Sequence, residues 1–307
     1  MQATVYRSTG SWYILKNAAG EMVNARIKGK LKIEGITSTN PIAVGDIVEI
    51  DEDAEEHNLV ISKIYDRRNY ITRVSPHNKN QHHIIASNLD QSLLFATLKD
   101  PKTSFGFIDR FLVTSEAYGV PAIIVFNKAD LYGEKEIEKF ERAREIYEPV
   151  GYKLLLTSVE KGYGLDDVKN ILKDRTTLLS GHSGVGKSSF INYIFPELDL
   201  KTLEVSDWSG KGMHTTTFAE MFDLAFGGRI IDTPGIRELG LVDIKQEELA
   251  QYFPEMRAVM HNCKYNNCVH FNEPGCAVKE AVNEGTISEE RYVSYLTIKD
   301  KIEEKTY

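Results

Sequence analysis

Long apolar runs are missing from this chain of 307 residues. None approaches the ~20 residues needed to cross a bilayer, so no membrane contact is expected. The opening residues, Met1 to Arg7, also lack the apolar core of a signal peptide. Cysteine is scarce. There are three, an odd number, which argues against a disulfide framework and for a reducing compartment. Positive charge is short as well: 37 Lys and Arg stand against 45 Asp and Glu, a net charge of −8. That balance excludes a strongly basic, indiscriminate nucleic-acid binder, so any RNA contact must come from local patches. Repeats and low-complexity tracts are absent too. A soluble, cytoplasmic protein is expected, with room for two or three domains. Since no feature marks an obligate dimer, a monomer is expected.

What is present is organised around Gly181-His182-Ser183-Gly184-Val185-Gly186-Lys187-Ser188. Two glycines separated by four residues and followed by Lys and Ser form the phosphate-loop pattern. Thr176 to Ser180 reads as a buried strand before it, and Ser188 to Phe195, with Ser189 in the first turn, as a helix after it. Glycines let the backbone N–H groups turn inward toward phosphate oxygens, and the helix N-terminus adds its positive end. Lys187 is expected to reach the β- and γ-phosphates and Ser188 to bind Mg²⁺.

Three further pieces fit a guanine nucleotide, GTP or GDP. Asn127-Lys128-Ala129-Asp130 follows the apolar run Ala122 to Phe126. The Asp130 carboxylate can accept from both N–H groups on the Watson–Crick edge of guanine, whereas adenine would leave it unpaired. A polar site can reject such an analogue by roughly 10⁴-fold. Asn127 is expected to hold the loop and the base, and the Lys128 stem to cover the ring. Thr157-Ser158-Val159 lies where a backbone N–H can meet guanine O6. Asp232-Thr233-Pro234-Gly235 follows Ile230-Ile231; Asp232 is expected to hold Mg²⁺ through water and Gly235 to sense the γ-phosphate. Gly210 to Thr217 suits a switch loop that brings one of Thr215, Thr216 and Thr217 to the cation, with Thr216 favoured.

These motifs come in an unusual order. In common GTPases the guanine motif follows the phosphate loop, and here it precedes it. A circular permutation rejoins the same strands through ends that lie close in space. The Asp-x-x-Gly switch then leads straight into the C-terminal segment.

Before the permuted domain, Trp12 to Leu15, Met22 to Ile27, Val44 to Ile50 and Leu59 to Ile64 read as short strands. Four or five strands in about 70 residues suit a small barrel of the OB type. Such a barrel either binds RNA on one face or docks a protein partner. Residues 66 to 88 carry Arg67, Arg68, Arg73, Lys79, His82 and His83. They read as a solvated connector or as a contact to a phosphate backbone.

Every cysteine lies in the C-terminal segment, as Cys263-x₄-Cys268-x-His270-x₅-Cys276. Three thiolates and an imidazole make a closed tetrahedral set, so one structural Zn²⁺ is expected there. Helices are expected over Gln246 to Tyr252, Val278 to Asn283 and Ser288 to Ile302. The expected architecture is therefore multidomain: an OB-fold β-barrel over 1–70, an α/β P-loop GTPase domain of permuted order over 71–240, and a helical zinc-binding domain over 241–307.

Barrel, permuted GTPase and cysteine tail together resemble the ribosome small-subunit-dependent GTPases of the RsgA/YjeQ family. The resemblance covers essentially the whole chain. It rests on Gly-His-Ser-Gly-Val-Gly-Lys-Ser-Ser, His-Thr-Thr-Thr, Asp-Thr-Pro-Gly and Cys-Lys-Tyr-Asn-Asn-Cys-Val-His. It implies a late assembly factor that binds the small ribosomal subunit near its decoding region. It also implies GTP hydrolysis stimulated by that subunit, with barrel and zinc domain both touching rRNA. The alternative is a nucleotide-gated RNA- or ribosome-binding scaffold with negligible turnover; the intact set of Lys187, Ser188 and Asp232 favours the enzyme. One catalytic part is missing. Where many GTPases place a water-orienting Gln after Asp-x-x-Gly, this chain has Ile236, then Arg237 and Glu238. His214, beside the switch threonines, is the expected replacement, because an imidazole can accept from and orient water.

Overall fold

Strand alternation builds the first unit. In β2 (Tyr13–Asn17) Tyr13, Leu15 and Asn17 are buried while Ile14 and Lys16 are half-buried, the two-residue period of a strand with one face on a core. The computed structural model describes residues 1–9, 12–27, 41–53, 58–74, 82–195, 219–233 and 244–304. The strands β1 (Gln2–Ser8), β2, β3 (Met22–Ile27), β5 (Leu59–Ile64) and β4 (Ile47–Glu52) pair in that order, and β4 returns to β1. Only the β3–β5 pair is parallel. The result is a closed five-stranded barrel around Val5, Leu15, Val48, Ile50 and Ile61, as expected. Strand β1 escaped the sequence reading because Val5 and Tyr6 are buried side by side, where its register shifts against β2. A bulge breaks the alternation that marks a strand.

The described residues between 66 and 88 pair and pack instead of forming a solvated connector. Strands β6 (Tyr70–Val74) and β7 (His82–Ser87) form an antiparallel hairpin, and Ile71, Ile85 and Ala86 enter the main core. Two of the basic residues are anchors. Arg67 donates through Nε and Nη2 to Asp46, at 2.6 Å each, and the Asp46 side chain is fully buried. Arg68 bonds Asp90 at 2.8 Å and the Leu89 carbonyl at 2.8 Å. Lys79 and the side chains of Arg73 and His82 lie outside the described residues.

From β8 (Gln91–Ala96) onward strand and helix alternate: α1 (Phe105–Ala117), β9 (Ala122–Phe126), α2 (Glu134–Tyr147), β10 (Lys153–Leu156), α3 (Leu165–Leu172), β11 (Thr176–Ser180), α4 (Lys187–Ile194), β12 (Glu220–Asp223) and β13 (Arg229–Asp232). Every residue of β8 is buried, as befits a central parallel strand covered on both faces. The order across the sheet is β10-β9-β8-β11-β13-β12, parallel except for β12. Helices α1 and α2 cover one face through Ile108, Phe111, Phe140 and Tyr147. Helices α3 and α4 cover the other through Val168, Leu172, Phe190 and Ile191. Ser104 caps α1 by accepting from the Phe107 N–H at 3.2 Å. The sheet then continues into the barrel, because β12 pairs with β1 at Glu220 and Arg7.

The C-terminal unit holds α5 (Pro254–Val259), α6 (Ala277–Asn283) and α7 (Glu289–Glu304). The helix expected over Gln246–Tyr252 is present as a 3₁₀ helix. Proline at the first position of α5 starts that helix at no cost in hydrogen bonds. Leu249, Phe253, Met256, Tyr295 and Ile298 make a separate core, and Val113 of α1 is part of it. No helix among the described residues is long and apolar enough to cross a membrane.

Candidate nucleotide site and metal cluster

The strand order reverses between β8 and β11: the chain leaves β8 toward β9 and β10, then returns to β8's other edge. A crevice at the carboxyl ends of strands is where such sheets hold ligands. The phosphate-loop pattern follows β11, Asn127-Lys128-Ala129-Asp130 follows β9, Thr157-Ser158 follows β10, and Asp232 ends β13.

Asn127 ties two of these loops together. It is almost wholly buried; its Nδ2 donates to the Val185 carbonyl at 2.9 Å, and its Oδ1 accepts from Thr157 Oγ1 at 3.1 Å. A Cβ at Gly186, whose φ is +96°, would fall on the Asn127 amide, and one at Gly181 would fall on the Phe95 carbonyl. Both glycines are thus required by close approach as well as by conformation. Asn127 was expected to hold loop and base, and its amide is spent on the loops.

Asp130 is exposed and within hydrogen-bonding contact of the buried Ser158 hydroxyl. The backbone N–H groups expected to offer a donor for guanine O6 are used inside the protein. Thr157 N donates to Phe126 O at 2.8 Å, Ser158 N to Tyr163 O at 3.0 Å, and Val159 N to Asn127 Oδ1 at 3.3 Å. In this conformation strand pairing and Asn127 use all three groups. Lys128, in the left-handed region at φ 65°, reaches the Asp100 carbonyl with Nζ at 2.5 Å.

Lys187 donates to the carbonyls of Gly181 and His182 at 2.5 and 2.7 Å. Burial holds its ammonium down to about 8, against the attraction of Asp232. Burial likewise raises Asp232 above the usual carboxylate range, with Lys187 opposing. Each is the other's nearest opposite charge, and for both the effect of burial exceeds that attraction. Val185 is buried, Ser188 is half-buried, and Ser183, Gly184 and Ser189 face solvent. His214, Thr215 to Thr217, Gly235, Ile236 and Arg237 lie outside the described residues.

Other residues at the site were not read from the sequence. The Phe107 ring of α1 stacks on the His182 ring, with centroids 3.8 Å apart at 30°. Tyr132 donates to the Asn127 carbonyl at 2.7 Å and accepts from Leu98 N at 2.9 Å. Pro101 packs near Gly184. Only the Asp-Pro dipeptide after the apolar run could have pointed to that loop.

In the C-terminal unit, Cys263, Cys268, His270 and Cys276 bring their ligand atoms within 4.8 Å of one another. His270 Nδ1 lies 3.6 Å from Cys263 Sγ and 3.4 Å from Cys276 Sγ. A tetrahedral ion with Zn–S and Zn–N bonds of about 2.3 and 2.1 Å separates its ligands by roughly 3.5–3.8 Å, so the set fits. Burial pushes the Cys268 thiol up to about 12, which makes it a protonated thiol until a cation displaces the proton. Helix α7 holds the ligand loop: Tyr292 donates to His270 O at 2.7 Å and Tyr295 to Val269 O at 2.8 Å. Glu273 accepts from the N–H groups of Val269 and Phe271 at 3.0 and 2.9 Å.

A family model described as RsgA GTPase matches residues 64–242, and one described as RsgA N-terminal domain matches residues 2–60. The chain belongs to the RsgA GTPase family. It is 51% identical over 300 residues to the small ribosomal subunit biogenesis GTPase RsgA of Flavobacterium psychrophilum, covering 97% of this chain and 92% of that one. To the protein of the same name from Bacteroides fragilis it is 49% identical over 307 residues, 100% and 99% of the two chains. Among solved structures, YjeQ from Thermotoga maritima superposes with a TM-score of 0.78 at 34% identity, over 98% of each chain. YloQ, described as a circularly permuted GTPase, gives 0.73 at 29% identity, over 99% and 95%. The permuted motif order is thus shared with its structural relatives, and family membership implies that a guanine nucleotide is bound and hydrolysed.

Proposed function

We propose that the chain is a GTPase that binds the small ribosomal subunit and acts in its late maturation, hydrolysing GTP faster on the subunit. One observation carries the reading. The base-side and phosphate-side loops are bonded to each other through Asn127 and Val185, in a chain about half identical over its length to proteins named small ribosomal subunit biogenesis GTPases.

In this reading the loop from Gly181 to Ser189 wraps the phosphates, and Lys187 leaves its carbonyl partners for the β- and γ-phosphates. Asp130 accepts from the guanine edge, the Lys128 stem covers the ring, and Thr157 and Ser158 shape the base side. Ser188, Thr216 and, through water, Asp232 hold Mg²⁺, which supplies charge neutralisation to the phosphates. Gly235 senses the γ-phosphate and His214 orients the attacking water. Cys263, Cys268, His270 and Cys276 hold one structural Zn²⁺. We divide the chain into a barrel over 1–70, a GTPase domain over 71–240 and a metal-binding domain over 241–307, a division supported by the spans of the two family models. The partner surface is rRNA, and the protein works as a cytoplasmic monomer.

Co-sedimentation with purified small subunits tests the partner. Binding should be tighter with a non-hydrolysable GTP analogue than with GDP, because a ligand shifts only states it distinguishes. Equal binding in both states counts against nucleotide-controlled docking. His214→Ala should keep nucleotide and subunit binding and lose most of the stimulated turnover; a parental rate moves the role to Arg237 or to a ribosomal group.

A further inference from the structure

Helix α1 carries two unusual side chains in its first two turns, and they face opposite ends of the molecule. Phe107 stacks on His182 in the phosphate loop. Asp109, two residues on, is buried under the C-terminal unit, where it accepts from Arg291 Nη1 and Tyr147 OH at 2.8 Å each. Arg291 is itself 1% exposed. Its Nε and Nη2 fork onto Glu255 at 2.6 and 3.1 Å, and its guanidinium lies 4.6 Å from the centre of the Phe253 ring. Three hydrogen bonds therefore leave one side chain and join α7 to α5 and α1.

We propose that Arg291 is a positioning residue for nucleotide binding and turnover, acting through Asp109, the N-terminal two turns of α1 and Phe107 on His182 and the phosphate loop. The proposal rests on the GTPase reading above. The line of contact is continuous. Arg291 fixes Asp109, and the capped N-terminal two turns of α1 carry Asp109 and Phe107 on one continuous helix. Phe107 fixes the His182 ring, and the His182 carbonyl accepts from Lys187 Nζ, the group that must meet the phosphates. A buried Arg–carboxylate set is a poor choice for stability alone, since apolar residues of similar volume do as well or better. Its fork geometry does set direction. Asp109 Oδ2 has no hydrogen bond of good geometry, although the Ser294 hydroxyl stands beside it; the set is therefore held but not saturated. Closely packed elements transmit such displacements because interiors have little free volume.

A double-mutant cycle on the full chain tests this. Arg291→Lys keeps the charge and removes the fork; Phe107→Leu keeps an apolar side chain and removes the stack. The readouts are dissociation constants for fluorescent GDP and GTP analogues, GTP turnover, bound zinc and nucleotide-free melting. Each single variant should retain zinc and weaken both nucleotides by roughly three- to thirtyfold. The double variant should be no weaker than the weaker single, because both changes cut the same line. Nucleotide constants within twofold of the parent, whatever the melting temperature, would make Arg291 a structural staple and overturn the proposal. So would effects that multiply in the double variant. If Arg291→Lys fails to fold, Glu255→Gln loosens the same fork and takes its place in the cycle. The binding constants need no ribosome, so a parent that binds GTP but ignores small subunits would sink the functional reading and leave this one standing.

Discussion

At the junction between barrel and GTPase sheet, Asp46 is fully buried and both of its oxygens are satisfied. Oδ1 accepts from Arg67 Nε and Ser87 Oγ, and Oδ2 from Arg67 Nη2 and Ala43 N. At the junction between GTPase sheet and C-terminal unit, Asp109 is as buried, but only Oδ1 is well bonded. The first junction also has backbone continuity. Strand β1 pairs with β12, Ser87 N donates to Val44 O at 2.9 Å, and Tyr6 and Val44 share a core with Ile108. The second joins side chain to side chain: Asp109 to Arg291, Glu116 to Arg257 at 3.2 Å, and Arg142 to Glu290 at 2.8 Å. Side chains can re-pair after a small shift and backbone ladders cannot. On this difference the barrel is expected to move with the GTPase sheet and the C-terminal unit, although it shares Val113 of α1 with its core, to be the part that reorients.

The strongest way to separate the two bodies is to remove the metal. Cys268→Ala, or exhaustive chelation, should melt the C-terminal unit and leave barrel and GTPase sheet folded and binding GTP. Structural zinc supplies apparent folding free energy of about 10 kcal/mol or more to small domains. Limited proteolysis with metal analysis checks this, and loss of all structure in a single step would mean that the two junctions are equally rigid. Protein with no metal after careful purification would remove the zinc site itself.

A change far from both junctions gives the control. Asp130→Asn should weaken GTP by up to about 10⁴-fold and open the site to xanthosine nucleotides, because xanthine offers a carbonyl where guanine offers its amino group. Melting should stay at the parental value. Unchanged guanine preference in a competition assay shows that Asp130 does not read the base.

The junctions can be compared directly by the same substitution in each. Asp46→Asn leaves Arg67 buried without its counter-charge and should cost about 3–5 kcal/mol. Asp109→Asn breaks a set already short of one bond, in which Glu255 still faces Arg291, and should cost less, roughly 1–3 kcal/mol. Urea unfolding followed by tryptophan fluorescence and by zinc release measures both. Equal costs on a single transition would erase the distinction.

The smallest effect is a pH dependence that belongs to the site and to neither junction. Burial holds Lys187 down to about 8, and bound phosphates should return it toward its ordinary value. Below about 8 the ammonium is already charged and GTP binding takes up no proton there. Above that, binding must take up a proton, so affinity falls as pH rises, by at most about tenfold per unit. Calorimetry in two buffers of different ionisation enthalpy reads the uptake, and Asp46→Asn should show the same slope as the parent.

The motifs were legible because each is a short contiguous string whose chemistry is local. Glycines at 181 and 186, the Asn127 to Asp130 turn and the Cys263 to Cys276 cluster needed no knowledge of distant partners. The strands and helices of the GTPase sheet were legible from period and length. What stayed hidden depends on pairing across the chain. Arg291 and Asp109 are 182 residues apart, and nothing near either one names the other. Arg67 read as part of a solvated connector or a phosphate contact, and it is buried on Asp46, because charge in a sequence carries no burial. Nothing near Phe107 in the sequence points to His182, and only the fold stacks their rings.

GTP turnover by the intact chain, measured with Mg²⁺ in the presence and absence of purified small ribosomal subunits, tests the central claim most directly. The account predicts slow turnover alone and a rise that saturates with added small subunits and is lost in His214→Ala. Tight GTP binding with the same turnover at every subunit concentration would contradict it and leave a nucleotide-gated scaffold.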